Sequence, residues 1–335
     1  MNIEDLKRID TKKMYMVYDD WPKIARSSLE DRPKKIDRKK IDHIILSGMG
    51  GSGSVADVIG SILSKEDIHV TIVKGYHLPN NLDSNSLVVT ISVSGNTKET
   101  LTILENAKNT SANIAAFSSG GKMEDFAKQH GIFYQHIPIV HSPRASFPRF
   151  LFTILKSLED ILPIKSTDIL EAIEELERTR EKIYSGNLTK ENTSLELAKW
   201  IDNIPIVYFP WGLQSASIRF KNSLQENSKL HVITEDVVEA CHNGIVAWEK
   251  ISNIKPILVR GEDDYVKTIE RWEVLKEFFT TKNIDFFEIK SVSGSILSKI
   301  VNLVFLFDYC SIYHAVLNNI DPSPVNPIDF VKKRI

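Results

Sequence analysis

The sequence predicts an α/β protein made of two α-β-α sandwich domains, each with a mainly parallel sheet flanked by helices. Three observations carry this. Strand-like apolar runs alternate with helical patterns of about 10 residues, the signature of parallel strands joined by crossover helices. The order of elements in the first half returns in the second. The length, 335 residues, suits two cores of ~150 residues each. The expected division is an N-terminal domain over 1–152, a helical connection over 153–190 and a C-terminal domain over 191–335.

A charged opening containing Asp31-Arg32-Pro33-Lys34-Lys35 precedes the first strong element, Ile41 to Leu46, a buried strand that runs into Ser47-Gly48. From Ser54 to Leu63 the apolar positions Val55, Val58, Ile59 and Ile62 recur at helical spacing. Strands follow at His69–Val73, Ser86–Ser92, Asn113–Phe117 and Ile132–Ile137, with helices over Lys98–Ala107 and Met123–His130 among them. Arg149–Leu162 and the charge-rich Asp168–Tyr184 read as long connecting helices, and Ser185-Gly186-Asn187 as a stop. The second half gives strands at Pro205–Phe209, Lys255–Val259 and Asp285–Ile289. Its helices start near Ser215 and cover Val266–Phe279 and Leu297–Asn318. Asp321-Pro322-Ser323-Pro324-Val325-Asn326-Pro327 is too rich in proline for helix interior, and a short helix over Ile328–Arg334 ends the chain.

Composition excludes several classes. Lys plus Arg is 42 against 44 Asp plus Glu, a formal charge of −2, which supplies neither the basic surplus of a nucleic-acid binder nor the acidic surplus of a disordered tail. Any anion must be held by local geometry. Cys241 and Cys310 stand in neither C-x-x-C nor zinc-finger spacing and suit a reducing compartment, so a cytoplasmic address is expected. Met1 to Lys7 lacks the apolar stretch of a signal peptide, and the most apolar segment, Val301 to Cys310, is interrupted by Asn302 and Asp308; no membrane association is expected.

Gly48-Met49-Gly50-Gly51-Ser52-Gly53 satisfies G-x-G-x-x-G between a strand and a helix. A dinucleotide site expects Asp or Glu about 20 residues further on, where this chain has Ile72-Val73-Lys74-Gly75. A Walker loop needs Lys directly after the last glycine, and position 54 is serine. A purely structural tight turn is the competing reading. A second polar loop, Ser92-Val93-Ser94-Gly95-Asn96-Thr97, follows another strand and leads into another helix. Hydroxyls and unpaired amides at a helix N-terminus hold an anion without net positive charge, and a terminal phosphate fits that description. One N-cap explains one hydroxyl, whereas Ser92, Ser94 and Thr97 offer three.

These two loops, with Pro143-Arg144-Ala145-Ser146, Gln225-Glu226-Asn227-Ser228-Lys229, Cys241-His242-Asn243 and Asp321-Pro322 through Lys332, resemble the bifunctional phosphoglucose/phosphomannose isomerase family of sugar isomerase (SIS) domain proteins. The resemblance covers the chain from about residue 40. It implies two SIS-type domains, hexose 6-phosphate substrates bound at Gly50, Gly51, Ser52, Ser92, Ser94 and Thr97, and a homodimer in which His242 reaches the neighbouring subunit's site. It also implies roles. Glu226 is the base that moves a proton between C1 and C2, His242 opens the sugar ring, Arg144 faces the enediolate and Lys332 assists ring opening, with Lys333 as the alternative register. Ser323 lies near where a hydroxyl helps admit the mannose epimer. The family pattern places Pro-Glu before the histidine and His-Asn-Glu at it, but here the chain reads Val238-Glu239 and His242-Asn243-Gly244. The missing acid at 244 bears on how the histidine loop is oriented.

The expected activity is therefore interconversion of glucose 6-phosphate, and mannose 6-phosphate, with fructose 6-phosphate by enediolate proton transfer. No metal or organic cofactor is expected, since H-E-x-x-H and clustered His and Cys spacings are missing from the sequence. The alternatives are another SIS activity such as an aminosugar-phosphate isomerase or deaminase, a non-catalytic sugar-phosphate sensor, and a Rossmann oxidoreductase weakened by Lys74.

Overall fold

The computed structural model describes residues 1–36 and 40–334. The chain divides into two compact units, Asp20–Ile173 and a second one joining Met1–Asp19 to Glu174–Ile335. Two short helices, α1 (Ile3–Ile9) and α2 (Met14–Asp19), open the chain and belong with the second unit. Asn2 caps α1 by accepting from the amides of Glu4 and Asp5, and Asp5 returns the bond to the Asn2 amide.

The first unit begins with α3 (Trp21–Glu30). Its sheet and helices follow as β1 (His43–Ser47), α4 (Gly50–Ile62), β2 (His69–Val73), β3 (Ser86–Ser92), α5 (Lys98–Ala107), β4 (Asn113–Ser118), α6 (Gly121–Gln129), β5 (Phe133–His136) and α7 (Phe147–Ser157). The five strands are all parallel in the order β2-β1-β3-β4-β5. Every residue of β1 and of β3 is buried, as strands covered on both faces require. Ile45 and Val88 pack with Ile103 and Ala107 of α5, while Ala116 packs with Leu104, Met123 and Ala127. The chain leaves β1 toward β2 and leaves β3 toward β4, in opposite directions across the sheet. Right-handed crossovers then put α4 and α5 on opposite faces. The carboxyl ends of β1 and β3 open a crevice at this reversal, the place where such sheets bind ligands.

The dividing line falls inside α8 (Ser166–Ile183). The second unit continues with α9 (Thr193–Trp200), β6 (Ile204–Phe209), α10 (Gln214–Ser228), β7 (Ile233–Asp236), α11 (Val237–Ala240) and a 3₁₀ turn over Gly244–Glu249. Then come β8 (Ile254–Arg260), α12 (Val266–Thr281), β9 (Phe287–Lys290), α13 (Ile296–Leu317) and α14 (Asn326–Lys332). Its four strands are parallel in the order β7-β6-β8-β9, the same reversal at β6 and β8. The two-sheet α/β architecture is thus the one the alternation predicts. Tyr208, Leu258, Trp272 and Phe279 form its core, and Trp248 Nε1 donates to Tyr208 Oη at 3.0 Å. Burial pushes the Tyr208 hydroxyl up to about 12.

Helix α13 is long and apolar enough to cross a membrane, yet 89% of its most apolar window is buried inside the protein. It is the central helix of this unit. Its polar residues are used: Asn302 accepts from Thr179 Oγ1 at 2.5 Å and donates to the Ser298 carbonyl, and Tyr309 bonds to Asp19. Along α10, residues four apart meet α13 in a buried polar column. Arg219 Nε and Nη2 donate to one oxygen of Asp308 at 3.2 and 2.6 Å, and Ser223 Oγ donates to the other at 2.6 Å. Asn227 Nδ2 reaches Ser311 Oγ and Ser228 Oγ reaches the Ser311 carbonyl, both at 2.8 Å. Arg219 is 2% exposed and Asp308 fully enclosed. Burial pushes the Asp308 carboxyl up, and the Arg219 guanidinium pulls it back.

Several elements depart from the sequence expectations. The opening segment holds three helices where only a charged lead was read. Strand β7 and helix α9 lie in stretches assigned to no element. Helix α4 starts at Gly50 rather than Ser54, so the glycines form its first turn. Helix α10, read from the sequence only as starting near Ser215, runs through Ser228, so Glu226 stands in its last turn.

Removing one partner of an enclosed ion pair leaves the other charge uncompensated, at a cost of about 3–5 kcal/mol. Asp308→Asn should lower the unfolding free energy of the second unit, measured by urea denaturation, by an amount in that range, whereas Arg219→Met combined with Asp308→Leu should recover most of the loss.

Candidate active site

In the first unit, the two polar loops foreseen from sequence are the ones that flank the sheet reversal. Ser47 of β1 pairs in register with Thr90 of β3, which sets the Gly48–Gly53 loop beside the Ser92–Thr97 loop. A hydrogen bond joins them: the Val93 amide donates to Ser52 Oγ at 3.0 Å. Ser52 and Ser92 are buried, Ser94 is exposed, and Ser92 Oγ donates to Thr97 Oγ1 at 3.1 Å. Thr97 is the N-cap residue of α5 with its side chain making no capping bond, and Ser94 Oγ accepts from the Asn96 amide. Exposed Gly50 and half-buried Gly51 form the first turn of α4. The arrangement presents hydroxyls and the first-turn amides of two helices, and helix dipoles add positive potential there.

A third loop, Ser118–Gly121, braces the second, and the sequence reading missed it. Ser119 donates to the Val93 carbonyl through its amide at 3.1 Å and its hydroxyl at 2.5 Å. The Met123 amide donates to the Gly95 carbonyl, and the Lys122 amide to Asn96 Oδ1. Ser118-Ser119-Gly120-Gly121 carries the same small, polar composition directly after a strand, which is the signal that could have found it. Gly95 makes the fit possible. It has φ of +66°, and a Cβ there would lie 1.7 Å from the Gly120 carbonyl oxygen.

Arg144 is brought to the same loops. It is buried in the turn before α7, and a Cβ on Gly51 would lie 3.0 Å from the Pro143 carbonyl oxygen and 3.3 Å from the Arg144 amide. The turn packs on the first loop because residue 51 lacks a side chain.

Glu226, His242, Ser323 and Lys332 belong to the second unit. Glu226 is half-buried in the last turn of α10, held by the Asn227 and Ser228 bonds to α13. His242 is exposed between α11 and the 3₁₀ turn, its amide donating to the Glu239 carbonyl at 2.8 Å. Asn243 Nδ2 donates to Glu239 Oε1 at 2.8 Å. The family acid missing at Gly244 has a neighbour in its place: both Glu235 carboxylate oxygens lie 2.7 Å from where a Cβ on Gly244 would stand. Burial, then Glu239 and Asp236, push the Glu235 carboxyl up. Ser323 is buried, its hydroxyl directed at Asp10 Oδ1 at a long 3.5 Å. Lys332 ends α14, with Lys333 as its cap residue, and both are exposed. Among the described residues, no group of three His, Cys, Asp or Glu is placed to hold a metal ion.

The doubled reversal sheets and the hydroxyl-lined loops define an SIS-domain protein. The family model for the SIS domain matches residues 38–129, and that for the bacterial phospho-glucose isomerase C-terminal SIS domain matches 190–335. A bifunctional phosphoglucose/phosphomannose isomerase of Caldicellulosiruptor bescii is 30% identical over 306 residues, covering 88% of this chain and 90% of its own. One from Aquifex aeolicus is 29% identical, covering 87% and 90%. A solved structure of a glucose-6-phosphate isomerase like protein from Thermus thermophilus superposes with a TM-score of 0.68 at 14% identity, over 99% of both chains, a likeness of fold alone. The chain belongs to the bifunctional phosphoglucose/phosphomannose isomerase family.

Gly95→Ala should force the second and third loops apart and lower the melting temperature through overpacking of about 1–3 kcal/mol. Differential scanning calorimetry should show the loss in the first unit's transition.

Proposed function

We propose that this protein interconverts glucose 6-phosphate and mannose 6-phosphate with fructose 6-phosphate. Family membership supports the reaction. The observation that carries it to these residues is the convergence of Ser52, Ser92, Ser94 and Thr97 with two helix N-termini at the reversal of the first sheet. A phosphate dianion is held there by amides and hydroxyls, and Arg144 stands against the same loop. Roles divide between the domains: the N-terminal one grips phosphate and the C-terminal one carries Glu226, His242 and Lys332.

The chemistry follows from the sugar. His242, with Lys332 assisting, moves a proton onto O5 so that the ring opens and the aldehyde is exposed. Glu226 takes the proton from C2, the C–H electrons form the C1=C2 bond, and the oxygen at C1 takes up the charge of an enediolate facing the Arg144 guanidinium. Return of that proton to C1, as the O2 hydroxyl passes its own proton to the oxygen at C1 and its electrons form the C2=O bond, leaves the ketose. The enediolate is planar at C2, so glucose and mannose epimers share it. The path uses no metal or nucleotide. We further propose a cytoplasmic homodimer with His242 completing the partner's site, a reading supported by the exposed Val238 (39%) and Val246 (60%) that flank the histidine.

Glu226→Gln should lower turnover on both aldose phosphates by roughly 10²- to 10⁴-fold in a coupled assay, with chelators leaving the wild type unaffected; unchanged turnover in the variant removes Glu226 as the base. Mixing inactive Glu226→Gln and His242→Asn homodimers after partial unfolding should restore about a quarter of wild-type activity through hybrids with one intact site. Failure to complement, with hybrids present by native mass spectrometry, places His242 in its own subunit's site.

A further inference from the structure

Lys229 directly follows the last turn of α10 and departs from what a helix end needs. Its backbone is left-handed, φ +57° and ψ 30°, a conformation that glycine or asparagine takes at lower cost. The turn itself is closed by backbone bonds, the Lys229 and Leu230 amides both donating to the Leu224 carbonyl. A glycine would serve that purpose. The side chain does something more. Its ammonium donates to the Glu226 carbonyl at 2.6 Å, to the Asn227 carbonyl at 3.4 Å and to the Pro324 carbonyl at 2.9 Å. The first two bonds answer the negative end of the helix dipole. The third reaches a segment distant in sequence, and helix capping gives no reason for it.

That segment, Asp321–Pro324, is held on its other side by the turn between α1 and α2. Thr11 Oγ1 donates to Asp321 Oδ2 at 2.6 Å, the Ser323 amide donates to Asp321 Oδ1 at 2.9 Å, and Ser323 Oγ points to Asp10. The turn bearing Glu226 is held on its other side by Asn227 and Ser228 against Ser311. The ammonium of Lys229 therefore joins two independently braced pieces, the one that carries Glu226 and the one that carries Ser323 and leads into α14 with Lys332.

We propose that Lys229 is a positioning residue, whose three carbonyl bonds set the distance and angle between Glu226 and the Ser323–Lys332 segment. The proposal rests on Glu226 being the base of the isomerisation. Lys229 acts through the carbonyls it holds, so its loss should appear in the chemical step and leave substrate capture intact. A misplacement of about 1 Å in such a constellation costs up to roughly 10²-fold in rate.

The test compares Lys229→Met, Lys229→Gly and Lys229→Arg in the full-length enzyme, with kcat and KM measured on glucose 6-phosphate and mannose 6-phosphate and rates normalised to the folded fraction by circular dichroism. Met and Gly should each lower kcat by roughly 10- to 100-fold while KM moves less than about 3-fold, and Arg, which keeps the donors, should restore most of the rate. The glycine variant relieves the left-handed strain, so a rate loss there belongs to the missing ammonium and not to the backbone. The proposal is overturned if Met and Gly both keep kcat within about 2-fold of wild type, or if their losses vanish on normalisation. A wild-type enzyme inactive on both sugars overturns the isomerase reading itself, and this inference with it.

Discussion

The enclosed Arg219–Asp308 pair decides where the end of α10 lies, and with it the position of Glu226, the base we propose. A charge buried without its partner is strongly destabilising, so α10 and α13 have one register in which both charges are met. Ser223, Asn227 and Ser228 extend that register by hydrogen bonds to Asp308 and Ser311 down to the turn that carries Glu226. Apolar packing alone tolerates sliding by a fraction of a turn; a column of specific donors and acceptors does not. The position of the Glu226 carboxylate is thus inherited from a polar contact inside the core.

The phosphate site we propose in the first unit needs no net charge. A protein of formal charge −2 has no general attraction for a phosphate dianion. It concentrates amides and hydroxyls where two parallel strands send their helices to opposite faces. Three loops are fastened to one another through Ser52, Val93, Gly95 and Ser119, so the donors are fixed before any ligand arrives. Preorganised donors of this kind lose little entropy on binding. Small residues are the condition for the fit, since Gly51 and Gly95 leave room for the Pro143–Arg144 turn and the Gly120 carbonyl.

Much of this was legible in the sequence because parallel strands covered on both faces read as continuous apolar runs. Ile44 to Leu46 and Leu87 to Val89 could be little else. The two phosphate-type loops were legible for the same reason, each being a cluster of Gly, Ser and Thr directly after such a run. What escaped had weaker patterns. Strand β7 is four residues long with exposed Ile233 and ends in two acids, and α3 carries Pro22 in its first turn. The helical setting of Glu226 was hidden because Gln225-Glu226-Asn227-Ser228 has the composition of a loop, and only the tertiary bonds to α13 make it a helix. The neighbour of Gly244 could not be read at all, since Glu235 meets it through folding and not through spacing.

In the mechanism we propose, the proton that Glu226 takes from C2 exchanges with water before it returns to C1. Isomerisation of glucose 6-phosphate in deuterium oxide, followed by proton NMR of the product, measures that exchange directly. Fructose 6-phosphate carrying deuterium at C1 is the result this account requires. Product that forms at full rate with only protium at C1 means that the hydrogen never exchanges with water on its way from C2, and contradicts transfer through a solvent-exchanging Glu226.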